Sequence, residues 1–585
     1  MLPRNHKGLH QVQADDECGQ TVVEHCSTCG TSGFVKREDR RRQEMTRTFN
    51  LADIFELVVQ AVPDRIAFGC GRQKLSFKQL DERANQLGNA LRARGIGRGD
   101  NVGIQLYNCA EYLEAFFACS KIGAVPVNVN YRYVADELQG LFNSLDLRGL
   151  VYGAEFDASV LEVIALVPTL RLALRVGEER HGLPRTVQPY ERVLAEGGKE
   201  LTDAERSDDD IFMLCTGGTT GLPKGVMWPH KSLFMGALGG GGYYFRRPPI
   251  ERPEELLQLV PNGPALAYLA AAPLMHGAAM WATLISLFSG HPVYVNDRKN
   301  FDPVHMLDLI EHHQINVMAV VGDAMALPII QTLENNPGRW PLKSLMIFGN
   351  GGAVFSRHLQ ERLLVQVPHL VLNNGMASSE SGVLGGGEKT PEGEGFMRIA
   401  PRPDLSVISE DLRILTQPGE EGILSRRGHM PLGYYGDPKK TAETFVMVEG
   451  SRWVLTGDRA RIDTTGEYVV LGRGSQCINT GGEKVYPEEV EETARRYPPV
   501  QDVVVVGLPD ERWGSKVVAV VQVQQGHEFD LQEFERICRS NLSGYKLPRA
   551  VYLATEVQRS PAGKADYRWA KAYAAEHEPL SAIEA

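Results

Sequence analysis

The densest chemistry in this chain lies in Thr216-Gly-Gly-Thr-Thr-Gly-Leu-Pro-Lys-Gly225. Its glycines and proline keep it out of the interior of a helix or strand. Glycine has too much backbone freedom, and Pro223 has no N–H to give. Such a run can instead turn backbone amides toward one point, add the hydroxyls of adjacent threonines, and set the Lys224 ammonium beside them. That combination grips a polyphosphate. A Walker loop needs Gly-Lys-Ser/Thr opening a helix. Here Lys224 stands between Pro223 and Gly225, so that arrangement is excluded. The plain alternative for this composition is a flexible Gly/Ser-type linker.

Four further segments carry side chains suited to chemistry. In Asn373-Asn-Gly-Met-Ala-Ser-Ser-Glu-Ser-Gly382, Glu380 offers a hard oxygen suited to Mg²⁺, with hydroxyls beside it; taken alone the stretch reads as a surface turn. Ala272-Pro-Leu-Met-His-Gly277 places His276 in an apolar run, where histidine is usually a satisfied core residue. Gly457-Asp458 follows an expected strand, Trp453 to Leu455, and is a common kind of turn. Arg559-Ser-Pro-Ala-Gly-Lys564 reads by itself as a solvated surface pair.

In their order along the chain, these motifs resemble the adenylate-forming superfamily, which includes acyl-CoA synthetases, peptide-synthetase adenylation domains and luciferase. The resemblance spans about residues 49 to 567. It implies that Thr216, Gly217, Gly218, Thr219, Thr220, Gly221 and Lys224 hold the ATP phosphates. Gly351-Gly352-Ala353 would turn against the purine, with Asn374 and Met376 nearby and Met376 where the family carries an aromatic. Ser379 would hold the α-phosphate and Glu380 the Mg²⁺. Asp458 would accept both ribose hydroxyls, and Arg473 would meet ribose or phosphate. Lys564 would bridge carboxylate and α-phosphate in adenylation, His276 would stand beside the acyl carbonyl, and Gly482 would line the tunnel for coenzyme A. At the pivot, Ser475 replaces the family's usual Asp or Lys.

The elements that must position these groups alternate. Asn50 caps a helix with apolar positions at Leu51, Ile54, Phe55, Val58 and Val59, ended by Pro63. Leu80 to Ala93 and Ala110 to Ile122 read as helices; Asn101 to Leu106, Val125 to Val129 and Ile211 to Cys215 read as strands. This rhythm predicts an α/β fold with parallel sheets covered by helices, the phosphate loop lying at a strand's carboxyl end. Strands at Val503–Val506, Val517–Val523 and Val551–Leu553, with a helix at Leu531–Leu542, predict a small α/β unit at the end of the chain. The expected division is a tail over 1–45, disordered or a non-native extension with Met45 as the working start, an adenylation domain over 46–474, and a mobile lid over 475–585.

Composition sets limits. The 585 residues are 43% hydrophobic and 23% charged with net charge −11, which suits a soluble multidomain protein and argues against a nucleic-acid binder. No window has the length of apolar residues of a membrane span; Ala265 to Phe288 is interrupted by Pro273, His276 and Gly277. Isolated cysteines in apolar runs suit a reducing cytoplasm. Cys26-x-x-Cys29 in the tail, with Cys18 and His25, lacks the second well-spaced pair of a zinc knuckle.

The expected activity is acyl-CoA synthesis from ATP, a carboxylic acid and coenzyme A, with Mg²⁺. Gly239 to Gly242, expected in a pocket-lining helix, would open room for a wide apolar acyl group, and Ala124 to Tyr133 resembles synthetases for sterol side-chain or long-chain fatty acids. Loading of a carrier protein, a non-catalytic nucleotide-binding homologue and a luciferase-like oxygenase stay open as alternatives, as does a homodimer.

Overall fold

Asn50 starts the fold. Its Oδ1 accepts the Ala52 N–H at 2.7 Å, capping the helix Leu51–Ala61, and its Nδ2 donates to Asp210 Oδ2 at 2.8 Å. Leu51, Ile54, Phe55 and Val58 are buried, as the helical spacing requires. The next helix, Phe77–Ala93, begins ahead of the expected Leu80 because Ser76 and Gln79 form a capping box. The computed structural model describes residues 47–201, 204–216, 223–242, 247–352, 355, 357–387, 397–473, 478–485, 487–558 and 566–582. The tail with Cys18, His25, Cys26 and Cys29, the loop residues Gly217 to Gly221, Ala353, Ser475 and Lys564 lie outside the described residues.

Two eight-stranded sheets carry most of the chain up to Tyr434. One runs in the order Gly433–Tyr434, Lys224–Pro229, Ile211–Thr216, Val125–Asn128, Asn101–Gln105, Gly149–Gly153, Leu172–Val176, Val187–Pro189. The other runs Gly382–Gly387, Val371–Ser378, Ile347–Gly351, Val317–Val320, Tyr268–Ala270, Val293–Val295, Ile66–Cys70, Gln73–Ser76. Their inner strands are parallel, so the chain crosses over through helices such as Ala110–Lys121 and Arg357–Gln366. Helix Ala110–Lys121 is buried on all sides: Phe117 stacks on Phe55 at 3.9 Å, and the wholly buried Lys121 is neutralised by Asp81 at 2.8 Å and by Glu56.

The first sheet turns antiparallel at one edge and the second at both, Ile66–Cys70 pairing with Gln73–Ser76 at its far side; one hairpin from each sheet flanks the candidate site. Ile211–Thr216 pairs with Lys224–Pro229, Thr216 opposite Lys224. The phosphate-loop motif is therefore shorter than its sequence suggests, because Thr216 closes one strand and Lys224 and Gly225 open the next. The chain leaves it as a strand rather than a helix, as the exclusion of a Walker loop requires. Val371–Ser378 pairs with Gly382–Gly387, and Ser379–Glu380 occupy the turn between them.

A third, antiparallel sheet follows, centred on the long strand Ser451–Ile462. Gly457-Asp458 lies inside this strand rather than after it. The glycine's φ of 78° and a register shift at Arg459/Ala460 accommodate the irregularity without ending the ladder.

The carboxy-terminal region has its own four-stranded sheet, in the order Val500–Asp510, Gly514–Val523, Ala550–Ala554, Ser581–Ala582. Strand period two sorts its valines. Val503, Val505 and Val521 pack with Phe534 and Cys538 of the helix Leu531–Asn541, whereas Val504, Val506 and Val520 pack with Ala570 and Ala574 of the helix Tyr567–Glu576.

Candidate active site

A cavity of about 1280 Å³ opens where the parallel strands of both large sheets end. Asn128, Cys215, Ala271, Asn296, Val320 and Gly351, all at or just past the carboxyl ends of strands, contribute to its wall. Deeper walls are apolar and built around Tyr268, Trp281, Ile285, Met325 and Pro328. Its mouth is polar and cationic, with Arg132, Lys299, Arg512 and Tyr545.

Two asparagines hold the segment that presents His276. Asn108 Oδ1 accepts the Leu274 N–H at 2.7 Å and its Nδ2 donates to Ala272 O at 3.0 Å. Asn128 Oδ1 accepts the Cys215 N–H and its Nδ2 donates to Met275 O, both at 2.6 Å. The strand end before the phosphate loop and the His276 segment thus share one polar anchor. His276 precedes the helix Gly277–Phe288, which turns Ala278, Trp281, Ala282 and Ile285 toward the cavity.

His276 is not a satisfied core residue. Its Nε2 meets Glu483 Oε1 at 2.8 Å, and Arg132 pairs with the same carboxylate. Burial works against ionising Glu483, but the charges of His276, Arg132 and Lys546 outweigh it and hold that carboxyl below its ordinary range. Gly481, Gly482 and Glu483 complete one wall of the cavity. Gly482 has φ 84° and lies so close to Val321 that a Cβ would stand 2.1 Å from its Cγ1. Asn479 Nδ2 donates to Gly352 O at 3.2 Å.

His276, Gly351, Gly352, Met376, Ser379 and Gly482 line the cavity. Lys224 and Glu380 form a neighbouring group instead. Lys224 Nζ pairs with Asp437 Oδ2 at 2.6 Å, holding that carboxyl below its usual range, and lies over the Tyr434 ring at 5.8 Å. The Tyr434 hydroxyl donates to Glu380 Oε1 at 3.1 Å. Ser379 O accepts the Trp228 indole N–H at 2.7 Å, fixing the turn that carries Glu380. Because Lys224 faces Thr216 across the hairpin, this group stands at the base of the phosphate loop.

Asn374 is buried and off the wall, while its neighbours Asn373 and Gly375 line the cavity. Asp458 is also buried off the wall, its N–H donating to Thr456 Oγ1 at 3.1 Å, with Arg473 opposite it in the ladder. The glycine-rich helix expected at Gly239–Gly242 does not form. The helix His230–Gly236 stops, and Gly239, Gly240 and Gly241 take φ of 71°, 58° and 74° in a short turn. A Cβ on Gly240 would stand 2.5 Å from Pro249, and one on Gly242 2.3 Å from Arg247 O. These glycines admit a proline ring and a backbone carbonyl, and none of the four lines the cavity, whereas Ala278, Ala279 and Ala282 of Gly277–Phe288 do.

Sequence reasoning missed Asn108, Asn128, Arg132, Tyr434, Asp437 and Glu483. Glu483 directly follows Gly482, which the sequence singles out, so that signal was present; the asparagines act through backbone groups and leave no spacing to find. Among the described residues, no group of three or more His, Cys, Asp or Glu side chains forms a metal site. None of their helices is long and apolar enough to cross a membrane.

The fold and cavity define an adenylate-forming enzyme, and comparison with known proteins agrees. The AMP-binding enzyme family matches residues 55–435, and the AMP-binding enzyme C-terminal domain matches 489–564. The chain belongs to this family and is an acid–thiol ligase by class. It is 39% identical over 531 residues to a 3-oxocholest-4-en-26-oate–CoA ligase of Rhodococcus rhodochrous, covering 89% of this chain and 95% of that one. It is 38% identical over 535 residues to a medium/long-chain-fatty-acid–CoA/3-oxocholest-4-en-26-oate–CoA ligase of Mycolicibacterium smegmatis, covering 89% and 96%. The fold matches the amide bond synthetase of Marinactinospora thermotolerans with a TM-score of 0.74 at 21% identity, over 89% of this chain and 99% of the other.

Proposed function

We propose that this enzyme joins a sterol side-chain acid or a long-chain fatty acid to coenzyme A in two steps. The acid's carboxylate oxygen attacks the α-phosphorus of ATP, forming an acyl-adenylate and releasing pyrophosphate. The thiol of coenzyme A, losing its proton, then attacks the acyl carbonyl, forming the thioester and releasing AMP. The observation that carries this reading is the cavity itself: a chamber of about 1280 Å³ whose wall combines His276 and Glu483 with the apolar Tyr268, Trp281 and Ile285 and the cationic Arg132 and Arg512. The similarity to sterol-acid and fatty-acid ligases supports the same substrate class.

In this reading Gly351, Gly352, Met376 and Ser379 meet the nucleotide. Thr216 to Gly221 and Lys224 take the phosphates, Asp458 and Arg473 take the ribose side, and Lys564 neutralises charge at the α-phosphate during adenylation. Glu380 suits Mg²⁺ as a hard oxygen donor beside the phosphate loop. Among the described residues Glu380 belongs to no group of three or more His, Cys, Asp or Glu side chains, so the ion would be held there together with the phosphates. Bound there, Mg²⁺ would offset phosphate charge. Gly482 and Glu483 complete the wall that coenzyme A must pass, so the carboxy-terminal region acts as a lid with a different pose for each step.

Pyrophosphate release from ATP is the test, measured across acetate, palmitate and a steroid side-chain acid, with amino acids as controls, with and without coenzyme A. A signal with the bulky acids that proceeds to thioester only with coenzyme A supports the assignment. Adenylate formation that coenzyme A does not discharge refutes it and favours a carrier-protein loader.

A further inference from the structure

Two charged contacts join the lid to one short stretch of the large domain, Asn130 to Glu137. The first is Arg132 with Glu483, already described. The second has no part in the chemistry above: Lys546 Nζ meets Glu137 Oε1 at 2.8 Å, with side-chain exposures of only 3% and 11%. Ser543 Oγ donates to Glu137 Oε2 at 2.6 Å, and Val134 N–H donates to the same oxygen at 3.1 Å. The Tyr133 ring lies under the Lys546 ammonium at 5.2 Å. Glu137 is thus held by its own helix start while it receives two groups from the lid.

We propose that Glu137 and Lys546 form a positioning latch that docks the lid in the pose where Glu483 and Gly482 complete the coenzyme A passage. This rests on the two-step reading above. Three features point the same way. Lys546 follows Tyr545, a residue of the cavity mouth, so fixing one fixes the other. Lys546 is also one of the charges that keep Glu483 ionised, which couples the latch to the His276 contact. Finally, the short turn Gly544–Lys546 can release its ammonium to water when the lid swings away, so loss of the partner is felt as undocking rather than unfolding.

The pair is asymmetric, and that makes the proposal specific. In Lys546→Met, Glu137 keeps Ser543 and Val134. In Glu137→Gln, the cap and the Ser543 contact survive, but Lys546 must dock as a buried charge that has lost its Glu137 carboxylate, the costlier fault.

The experiment uses the full-length enzyme and two readouts. Thioester formation from supplied acyl-AMP and coenzyme A should fall roughly 30- to 100-fold in Glu137→Gln and less in Lys546→Met, while pyrophosphate release from ATP and acid stays within about twofold. The exchanged pair Glu137→Lys/Lys546→Glu should regain part of the loss. Hydrogen exchange at amides of 130–137 and 543–546 should quicken in both single variants. Equal loss in both half-reactions, or an exchanged pair no better than the worse single variant, overturns the latch. If no acid releases pyrophosphate, the two-step reading fails, and hydrogen exchange still decides docking: unchanged rates overturn the latch, and quickened rates support it.

Discussion

Replacing Gly482 by alanine should separate the two half-reactions, and the structure sets the size of the effect. The new Cβ would stand 2.1 Å from Val321 Cγ1, far inside contact distance, on a backbone with φ 84°. A Cβ in the left-handed region costs about 1–2 kcal/mol. Relieving the overlap with a packed valine costs about 1–3 kcal/mol. Together these give about 2–5 kcal/mol against the docked loop, or roughly 30- to 4,000-fold in its population at 1.4 kcal/mol per tenfold. Adenylation does not need the loop in this place, so pyrophosphate release should change little. Single-turnover thioester formation from acyl-AMP should fall by the full factor. Val321→Ala in the same protein removes the clashing methyl but not the backbone strain, and should return about the overlap's share. Equal losses in both half-reactions, or no rescue by Val321→Ala, would refute the account of Gly482 as a close-approach residue of the lid.

Three other outcomes are expected. Lys564→Ala should abolish adenylation yet leave thioester formation from supplied acyl-AMP largely intact, which parallel half-reaction assays would measure. Ala282→Leu narrows the wall between Trp281 and Ile285 and should lower kcat/KM for a steroid acid relative to palmitate by roughly 10- to 200-fold; an unchanged ratio would remove that helix face from substrate selection. Burial depresses His230 to about 3 and His291 to about 4, and both side chains are fully buried. Their folded values lie below the unfolded one, so the unfolded chain binds more protons and stability is lost as pH falls below about 6.5. At pH 5 each should cost about 2 kcal/mol, seen as a falling Tm between pH 7 and 5 that is shallower in His230→Gln.

How much of this was legible in the residues depends on what each residue acts through. The helix at Leu51, the alternating body and the two-faced valine strands of the lid follow from hydrophobic period and caps, which are local, so they could be read directly. The glycines at 239–242 misled because composition records missing side chains but not the reason for them. At Gly240 the reason is a positive φ and the ring of Pro249 at close approach, and no local pattern links Pro249 to it. Asp458 was read as the end of a strand because a Gly-Asp pair usually ends one; here a bulge lets the ladder continue. Asn108 and Asn128 were invisible because each works by holding the backbone of a segment more than a hundred residues away.

In the proposed two-step reading, a single pose of the lid would not serve both steps. Trp513, just before the strand Gly514–Val523, lines the cavity. At the other end of that strand, Gln522 Oε1 accepts the Val557 N–H at 3.0 Å, and Asp566 N–H returns to Gln558 O at 3.2 Å. Val557 and Asp566, which flank the segment that carries Lys564, are therefore rooted about 30 Å along the strand from Trp513, nine residues at about 3.3 Å each. For Lys564 to take the part proposed for it, the lid must release Glu483 and Lys546 and turn its sheet end for end. In that reading, the contacts that favour thioester formation are the ones adenylation would have to break. Over-strengthening them, for instance by adding a second ion pair at Asn130–Tyr545, should slow pyrophosphate release before it improves thioester formation; a faster first step would contradict the exchange of poses.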